Sequence, residues 1–306
     1  MRVAVTGGGG FIGSHVVDQL IAAGHEVRVI DMAPTWRNDG ATYHVTDLFH
    51  QDGLRAAMDG CEAVFHLAGA SDVNDVVADP VWAVRLNVEG TAQVLEAARQ
   101  TGCARVLFAS TVWVYGATLG DGELTEDAPV DLARAGHVYV STKLAAELLV
   151  HSYREMFGQR FTILRYGIPY GPRMRESLVI ARFTRAALDR AAITIAGNGE
   201  QQRNYVYVED LADAHVRALA PAAEDQVLAL EGGTPVSVRE IADVVQDLVQ
   251  PVPIESVPAR TADYQGVAIS GRAAKELLGW APVTDFATGV RRYLEWLRET
   301  GRADTR

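Results

Sequence analysis

A tyrosine and a lysine stand four residues apart in the segment Tyr139-Val140-Ser141-Thr142-Lys143. In a helix this spacing puts both side chains on one face, with the ammonium group near the phenol. A nearby positive charge favours the phenolate and lowers the tyrosine pKa toward a range in which the phenol exchanges a proton with a substrate hydroxyl. Because the chain contains only two lysines, the pair is an uncommon coincidence. It predicts a proton-transfer site, the alternative being an ordinary surface pair.

A hydroxyl that could serve the same site follows the β-rich run Arg105–Ser110. Thr111 comes directly after this run, and ligands of parallel α/β sheets bind at the carboxyl ends of the strands. We expect Thr111 to hold a substrate oxygen while Tyr139 moves its proton. A Ser-Thr pair after a strand is also commonly a helix cap or a turn, so that interpretation stays open at this point.

Four consecutive glycines follow the first β-rich run, in Thr6-Gly7-Gly8-Gly9-Gly10-Phe11-Ile12-Gly13. Glycines let a backbone turn tightly and approach phosphate oxygens, and the N-terminus of the next helix attracts their charge. Both a G-x-G-x-x-G register at 8, 10 and 13 and a G-x-x-G-x-x-G register at 7, 10 and 13 are possible. The segment predicts a dinucleotide-binding turn, the alternative being a flexible glycine-rich turn.

Asp31 ends the second β-rich run, Glu26–Asp31. A carboxylate at this distance from the glycine turn accepts hydrogen bonds from the adenosine ribose hydroxyls and repels a 2′-phosphate. The sequence therefore favours NAD over NADP, although a strand-end turn former is the alternative role of Asp31.

The elements that must position these residues alternate short β-rich runs with helical patterns, as in an α/β fold with a doubly wound, Rossmann-like parallel sheet. Glycines and prolines break this alternation after residue 166. We expect an NAD-binding domain over 1–166 and a smaller, mixed α/β substrate-binding lobe over 167–306, with about 205–230 returning to the first domain. Predicted strands are Val3–Thr6, Glu26–Asp31, Ala63–Leu67, Arg105–Ser110 and Phe161–Arg165. Predicted helices are Phe11–Ala23, a stretch from Asp79-Pro80 to near Gly102, His137–Phe157, Ser237–Val249 and Ala287–Glu299.

Composition excludes several classes of protein. The formal net charge of −11 repels nucleic acid. The two cysteines, Cys61 and Cys103, lack metal-ligand spacing and indicate neither a disulfide framework nor a zinc site. No apolar run reaches the length of a membrane span, and a strand-like run begins at Arg2, without a signal peptide. We therefore expect a cytoplasmic enzyme with no metal and no membrane or nucleic-acid partner.

Taken together, the motifs resemble the extended short-chain dehydrogenase/reductase family, in its NAD-dependent epimerase/dehydratase branch, over nearly the whole chain. The matching segments are Thr6–His15, His66–Gly69, Asn87–Thr91, Ser110–Gly116, Tyr139–Lys143, Leu164–Pro172 and Arg203–Asp210. The resemblance implies a Thr111, Tyr139 and Lys143 catalytic set, Asp47-Leu48 near the adenine, and a homodimer built through paired helices. The NAD-binding residues would be Gly7, Gly10, Phe11, Ile12, Gly13, Asp31, Asp47, Leu48, Leu67, Ala68, Asn87, Tyr139, Lys143 and Tyr166.

The substrate side of the site follows from the same resemblance. Arg203 matches the family's diphosphate-contacting arginine, and Arg260 is a weaker candidate that is as well explained by a solvated loop. Thr111 and Trp113 complete the expected substrate contacts. The asparagine usual in the family's L-R-x-x-N-V-Y-G-P segment is Ile168 here, the valine after it is Pro169, and the aspartate usual after the arginine is Asn204. These departures concern the sugar more than the reaction type.

Val112 and Trp113 stand where dehydratases and decarboxylases of the family carry acidic residues. Since an indole cannot shuttle a proton, the sequence favours an epimerase similar to the UDP-glucose 4-epimerase group. Such an enzyme would invert C4 of a nucleotide sugar, with UDP favoured, through a transient 4-keto intermediate. A nucleotide-sugar reductase or an atypical dehydratase is the alternative reaction. A catalytically silent dinucleotide sensor would have no need of the Tyr-Lys pair.

Overall fold

The computed structural model describes residues 1–117, 123–258 and 269–303. Its strands are β1 (Arg2–Thr6), β2 (Glu26–Asp31), β3 (Thr42–Val45), β4 (Ala63–His66), β5 (Arg105–Thr111), β6 (Arg160–Tyr166), β7 (Ile168–Tyr170), β8 (Ile193–Ala196), β9 (Gln202–Tyr207), β10 (Gln226–Leu230), β11 (Pro235–Ser237) and β12 (Ile254–Val257). Its α-helices are α1 (Phe11–Ala22), α2 (Gln51–Met58), α3 (Val73–Ala78), α4 (Pro80–Val84), α5 (Gly90–Thr101), α6 (Val138–Phe157), α7 (Val179–Leu188), α8 (Val208–Arg217), α9 (Val238–Leu248), α10 (Arg272–Leu278) and α11 (Phe286–Glu299). A π-helical turn, Arg85–Glu89, joins α4 to α5.

Seven strands form one parallel sheet in the order β10-β6-β5-β4-β1-β2-β3. Alternate residues of each strand serve opposite faces. Val3 and Val5 pack in a core with residues of α1, α8 and α10, whereas Ala4 between them packs in a second core with residues of α2, α5 and α6. Both faces of the sheet are covered, which explains the continuous apolar runs of the central strands. The expected doubly wound, Rossmann-like fold is confirmed.

Local signals in the sequence explain where the long helix α6 begins and ends. The imidazole of His137 accepts a hydrogen bond from the backbone amide of Tyr139 at 3.0 Å, which satisfies a free amide of the first turn. Gly158 ends the helix in the left-handed region, at φ 71°. Tyr139 and Lys143 therefore lie on the first two turns of a capped helix.

The second half of the chain contributes to the large sheet and also forms smaller layers. Strand β10 pairs with β6 at the sheet edge, and α8 packs on α1. Strand β9 pairs with β7 in parallel and with β11 antiparallel, and β8 pairs with β12. Helices α7, α9 and α11 enclose a further core around Tyr170, Tyr205 and Tyr207. The division of the chain at residue 166 stays a prediction.

The predicted strands and helices differ from the observed ones by a residue or two at their ends. Sequence patterns missed β3, α2 and α3, and after residue 166 they placed no individual strand and none of the helices α7, α8 and α10. Strand β3 has no fully buried residue and β12 is mostly exposed, so neither carries the apolar signal of a core strand. The predicted helical stretch before Gly102 is continuous in space but includes the π-helical turn.

Within the described ranges, no helix is both long and apolar enough to cross a membrane. The same residues include no group of three or more histidine, cysteine or acidic side chains suited to a metal ion.

Candidate active site

The glycine turn lies between β1 and α1, against the carboxyl end of β4. Gly7 has φ 69°, and a Cβ on it would lie 2.8 Å from the backbone nitrogen of Ala68. A Cβ on Gly13 would collide with the carbonyl group of Gly7. Gly7, Gly10 and Gly13 line the cleft, whereas Gly8 packs against Val29. The structure thus favours the register at 7, 10 and 13.

The first turn of α1 is open to this cleft. Gly10 is its N-cap residue and provides no side-chain cap, and Gly10, Phe11 and Ile12 line the cleft. Free amide groups and the positive end of the helix dipole are suited to a pyrophosphate. Asp31 lines the same part of the cleft; its carboxylate accepts hydrogen bonds from the amides of Gly9 at 3.0 Å and Ala33 at 3.1 Å. These residues fit a dinucleotide.

Thr111 and Tyr139 meet at the other end of the cleft. Thr111 ends β5 and Tyr139 lies in the first turn of α6, and both side chains line the cleft. Burial raises the pKa of Tyr139 to about 12, against a lowering effect of the Thr111 hydroxyl and of the Arg175 guanidinium. The expectation that Lys143 acidifies the phenol is therefore wrong for the chain by itself, because loss of hydration outweighs nearby positive charge.

The ammonium group of Lys143 points into the same region. It donates a 2.9 Å hydrogen bond to the carbonyl of Ala109 and lies 5.0 Å from the centre of the Phe108 ring. Burial lowers its pKa to about 8, while the charge of Glu147 opposes this shift. Lys143 is therefore mostly protonated at neutral pH and can offer a hydrogen bond to a ribose or a charge to a reacting oxygen.

A buried ion pair supports the strand ends behind the site. The carboxylate of Glu147, one turn after Lys143, accepts hydrogen bonds from Ser110 at 2.5 Å and from Arg165 at 2.7 Å and 3.1 Å. These contacts link α6 to β5 and β6. Because Ser110 precedes Thr111, the network restrains the backbone that carries the threonine hydroxyl.

Asn87 supports the cleft from behind. Its amide bonds both the backbone nitrogen and the carbonyl of Ala70, at 2.7 and 3.0 Å, and the hydroxyl of Thr142 at 2.9 Å. Among described residues it does not line the cleft, and neither do Asp47 and Leu48. Leu48 packs in the core beside α2 and α5. Their cofactor contacts stay predictions.

The cleft encloses about 1030 Å³, at the upper end of the range for small-molecule sites, which leaves room for a substrate beside a dinucleotide. The structure brings together in its wall most of the residues chosen from the sequence. These are Gly7, Gly10, Phe11, Ile12, Gly13, Asp31, Leu67, Ala68, Thr111, Trp113, Tyr139, Lys143, Tyr166 and Arg203. Arg260 lies outside the described residues.

One aromatic and one basic side chain, Trp113 and Arg203, line the part of the cleft where we expect the substrate. The Trp113 ring stands edge to face with Tyr139, with centroids 6.0 Å apart. Arg203 lines the cleft although it is only 9% exposed, and its guanidinium donates to the carbonyl of Gln202 at 2.7 Å.

Sequence reasoning missed further residues of this wall, among them Trp36, Arg173, Arg175 and Arg302. Arg175 donates to Ser71 at 3.4 Å and lies 3.7 Å from Asp72. Arg173 and Arg175 follow Gly171-Pro172 closely, and this pair of arginines is a signal that could have indicated both positions. Trp36 and Arg302 carry no comparable signal, because distant parts of the chain bring them to the cleft.

The fold and this site define a dinucleotide-dependent enzyme with a threonine, a tyrosine and a lysine at its reactive end. Residues 3–229 match the model of the NAD dependent epimerase/dehydratase family. The chain belongs to this family, and its cofactor is NAD.

Relatives within the family catalyse different reactions. The chain is 34% identical to the UDP-glucose 4-epimerase of Mycolicibacterium smegmatis, over 97% of this chain and 99% of that protein. It is 31% identical to UDP-glucuronic acid decarboxylase 2 of Arabidopsis thaliana, over 95% of this chain and 66% of that protein. The crystal structure of the Thermus thermophilus UDP-glucose 4-epimerase complex with NAD superimposes with a TM-score of 0.88 at 31% identity, covering 97% of this chain and 99% of that one.

Replacing the carboxylate of Asp31 tests which dinucleotide the cleft selects. We expect Asp31→Asn to raise the ratio of NADPH affinity to NADH affinity at least about tenfold over that of the wild type. The reason is that removal of a unit charge near the ribose relieves about 1–4 kcal/mol of repulsion of the 2′-phosphate. Competition titrations followed by reduced-nicotinamide fluorescence measure this ratio. Asp39→Asn, at an exposed position away from the cleft, is the control. An unchanged ratio in Asp31→Asn would show that this carboxylate does not face the 2′ position.

Proposed function

We propose that the protein is an NAD-dependent nucleotide-sugar epimerase that inverts C4 of a UDP-sugar through a transient 4-keto intermediate. The observation that carries this proposal is the convergence of Thr111, Tyr139 and Lys143 in the cleft wall that also contains the glycine turn. One phenol that moves a proton both ways supplies the acid–base chemistry for oxidation and re-reduction at a single carbon, and NAD would accept and return the hydride.

Proton movement begins at the phenol of Tyr139. Thr111 positions the sugar hydroxyl, and Tyr139 takes its proton as the carbon is oxidised, then returns it after the keto sugar has turned over. With a pKa of about 12, the phenol needs added positive charge near its oxygen. Lys143, with a pKa of about 8, retains that charge at neutral pH, and the Arg175 guanidinium also lowers the pKa of the phenol.

NAD supplies a reversible hydride acceptor and a positively charged nicotinamide ring when bound. Gly7, Gly10 and Gly13 with the first turn of α1 would hold its pyrophosphate, and Asp31 its adenosine ribose. Lys143 would bond the nicotinamide ribose. A cofactor that stays in place through both half-reactions leaves no net change in redox state.

The residues after Thr111 support epimerisation over loss of water or carbon dioxide. Val112 is 3% exposed and Trp113 places its ring against Tyr139. Neither side chain donates or accepts a proton at a neighbouring carbon, so elimination would lack its acid or base. The apolar face of Trp113 instead offers a smooth wall past which a keto sugar can turn.

Arg203 supports a nucleotide diphosphate as the handle of the substrate. Its guanidinium is largely removed from water, where a charge-assisted bond to a phosphate is strong. Relatives named for UDP-sugars support uridine as the base. Ile168 stands where the family's motif has an asparagine, so we expect the sugar contacts to differ from those usual in the family.

We also propose a homodimer through helices α3, α4 and α6. Apolar side chains are exposed on these helices, which lie against one another: Val77, Val81, Trp82, Val84 and Leu148. An apolar surface of this kind is typical of an interface between copies.

Incubation with a panel of UDP-, GDP-, dTDP- and CDP-sugars tests the reaction. We expect a UDP-sugar to reach equilibrium with its C4 epimer, resolved by NMR, without net change in absorbance of the reduced nicotinamide. Release of water, or stoichiometric consumption of reduced cofactor, would replace the proposal by a dehydratase or a reductase.

Tyr139→Phe removes the proton carrier and keeps the ring. We expect kcat to fall at least about a hundredfold, because general acid–base groups contribute 10²–10⁴-fold, while the amount of bound NAD is unchanged. Tyr153→Phe, on the same helix but outside the cleft, should retain activity. Substantial turnover in Tyr139→Phe would rule out the assigned role.

Arg203→Ala should raise KM for the nucleotide sugar by roughly 10–100-fold with a smaller effect on kcat, the size expected for a lost charge-assisted bond. Steady-state kinetics on the substrate found in the panel measure both constants. Arg291→Ala, at an exposed position of α11, is the matched control. An unchanged KM would remove Arg203 from the diphosphate site.

Analytical ultracentrifugation tests the homodimer. We expect a dimer at micromolar concentration, and Val81→Asp and Leu148→Asp to shift it toward monomer, because a charge buried at an apolar interface is costly. Val283→Asp introduces the same charge at a position that is 85% exposed elsewhere and should leave the dimer intact. A monomeric wild-type protein would contradict the proposal.

A further inference from the structure

Trp36 lies beside the glycine turn, on the loop that follows β2. The backbone amides of Thr35 and Trp36 both donate to the carbonyl of Gly9 at 3.1 Å. A Cβ on Gly9 would collide with Pro34, so this loop and the glycine turn pack backbone against backbone. The indole of Trp36 is partly exposed and lines the cleft. Its position is therefore set by the turn that we expect to hold the cofactor pyrophosphate.

The end of the chain reaches the same indole. Trp296 of α11 meets Trp36 edge to face, with ring centroids 5.7 Å apart, and the guanidinium of Arg302 lies 4.9 Å from the centre of the Trp36 ring. Aromatic pairs and arginines over indoles are both favourable contacts. A loop of the first half and the last helix thus touch at the edge of the cleft.

The terminal turn that carries Arg302 is anchored on its other side. The amide of Ala303 donates to the carbonyl of Leu297 at 3.0 Å. Arg185 of α7 donates to the carbonyls of Arg302 at 2.7 Å and Ala303 at 3.1 Å. These contacts hold the backbone of Arg302 at the edge of the cleft.

A second arginine approaches Trp36 from the segment after β7. Arg173 pairs with Asp18 of α1 at 2.7 Å, and its guanidinium lies 5.9 Å from the Trp36 ring. Its backbone has φ 66°, a left-handed conformation that is costly for a residue with a side chain. The carbonyl of Pro172 before it bonds the buried His15 of α1 at 2.9 Å. Surrounding contacts therefore hold Arg173 at the cleft despite this cost.

Trp36, Arg173, Trp296 and Arg302 are called here the tryptophan–arginine wall. Trp36, Arg173 and Arg302 line the same cleft as Gly10 and Phe11. The glycine turn offers backbone amides but no side-chain cation to the two negative charges of a pyrophosphate, and the chain as a whole carries −11. Guanidinium groups are well suited to phosphate oxygens. The wall places two of them in the cleft, where Arg173 is paired with Asp18 and Arg302 lies over the Trp36 ring.

We propose that the tryptophan–arginine wall is a part of the NAD site: Arg302 contributes positive charge to the pyrophosphate, and the contact of Trp36 with Trp296 and Arg302 retards release of the cofactor. This inference rests on NAD as the cofactor and is independent of which sugar is bound. NAD leaves only after the loop carrying Trp36 separates from the last helix. Slow release of NAD suits a reaction in which one NAD molecule accepts a hydride and must return it to the same substrate.

The rate of NAD release tests the proposal without any sugar. The purified holoprotein is loaded with isotopically labelled NAD, mixed with an excess of unlabelled NAD, and sampled over time by rapid gel filtration and mass spectrometry. We expect Trp36→Ala, Trp296→Ala and Arg302→Ala each to accelerate release about tenfold. Trp36→Phe retains a ring and should lie between wild type and Trp36→Ala. Arg298→Ala, exposed near the end of α11, should match wild type.

A double variant separates a cofactor wall from a merely structural contact. If Trp36 and Trp296 act as one unit, the double variant Trp36→Ala/Trp296→Ala releases NAD no faster than the faster single variant. Chemical denaturation of the same variants reports the stability of the fold. Release rates that stay within twofold of wild type, with or without a loss of stability, would overturn the proposal. Absence of epimerase activity would leave this measurement unaffected.

Discussion

The first turn of α1 meets the carboxyl ends of β1 and β4 with no space for a side chain between them. Gly7 is in the left-handed region against the backbone of Ala68, and Gly13 packs directly on the carbonyl of Gly7. A Cβ at either position would push the helix away from the sheet. Because α1 can come this close, its free amides face the cleft, and Asp31 at the end of the neighbouring strand faces the same space.

Directional polar contacts hold the strand ends that the glycine turn approaches. The ring of His66, at the end of β4, is bonded to the hydroxyls of Thr6 at 2.8 Å and Thr91 at 3.1 Å. Burial lowers its pKa to about 3, so the ring is neutral and one nitrogen accepts while the other donates. Farther along the edge, Glu147 and Arg165 neutralise each other, as buried charges must. These contacts fix the carboxyl ends of β4, β5 and β6 next to the reactive side chains.

Much of this arrangement could be predicted because it depends on local patterns. The central strands are buried on both faces and therefore read as continuous apolar runs, and Gly102 and Gly158 end helices in the left-handed conformation that the sequence indicates. The peripheral strands β3 and β12 were missed because they have no buried residue to give an apolar pattern, whereas the short strands β8 and β10 have buried residues but were not separated from the neighbouring turns. The pKa of Tyr139 was predicted in the wrong direction, since the degree of burial around a phenol depends on packing rather than on the spacing to a lysine.

The sequence by itself determined that Tyr139 and Lys143 share a helix face, that a glycine turn precedes a helix, and that an acid follows the next strand. These relations span a few residues or one βαβ unit, and helix and strand periodicity is enough to establish them. Only the tertiary structure decided that Thr111 and Tyr139 line one cleft, that Arg175 acts on the same phenol, and that Trp36 meets Trp296. Such contacts join residues far apart in the chain, and their distances depend on how whole layers pack, which no local spacing encodes.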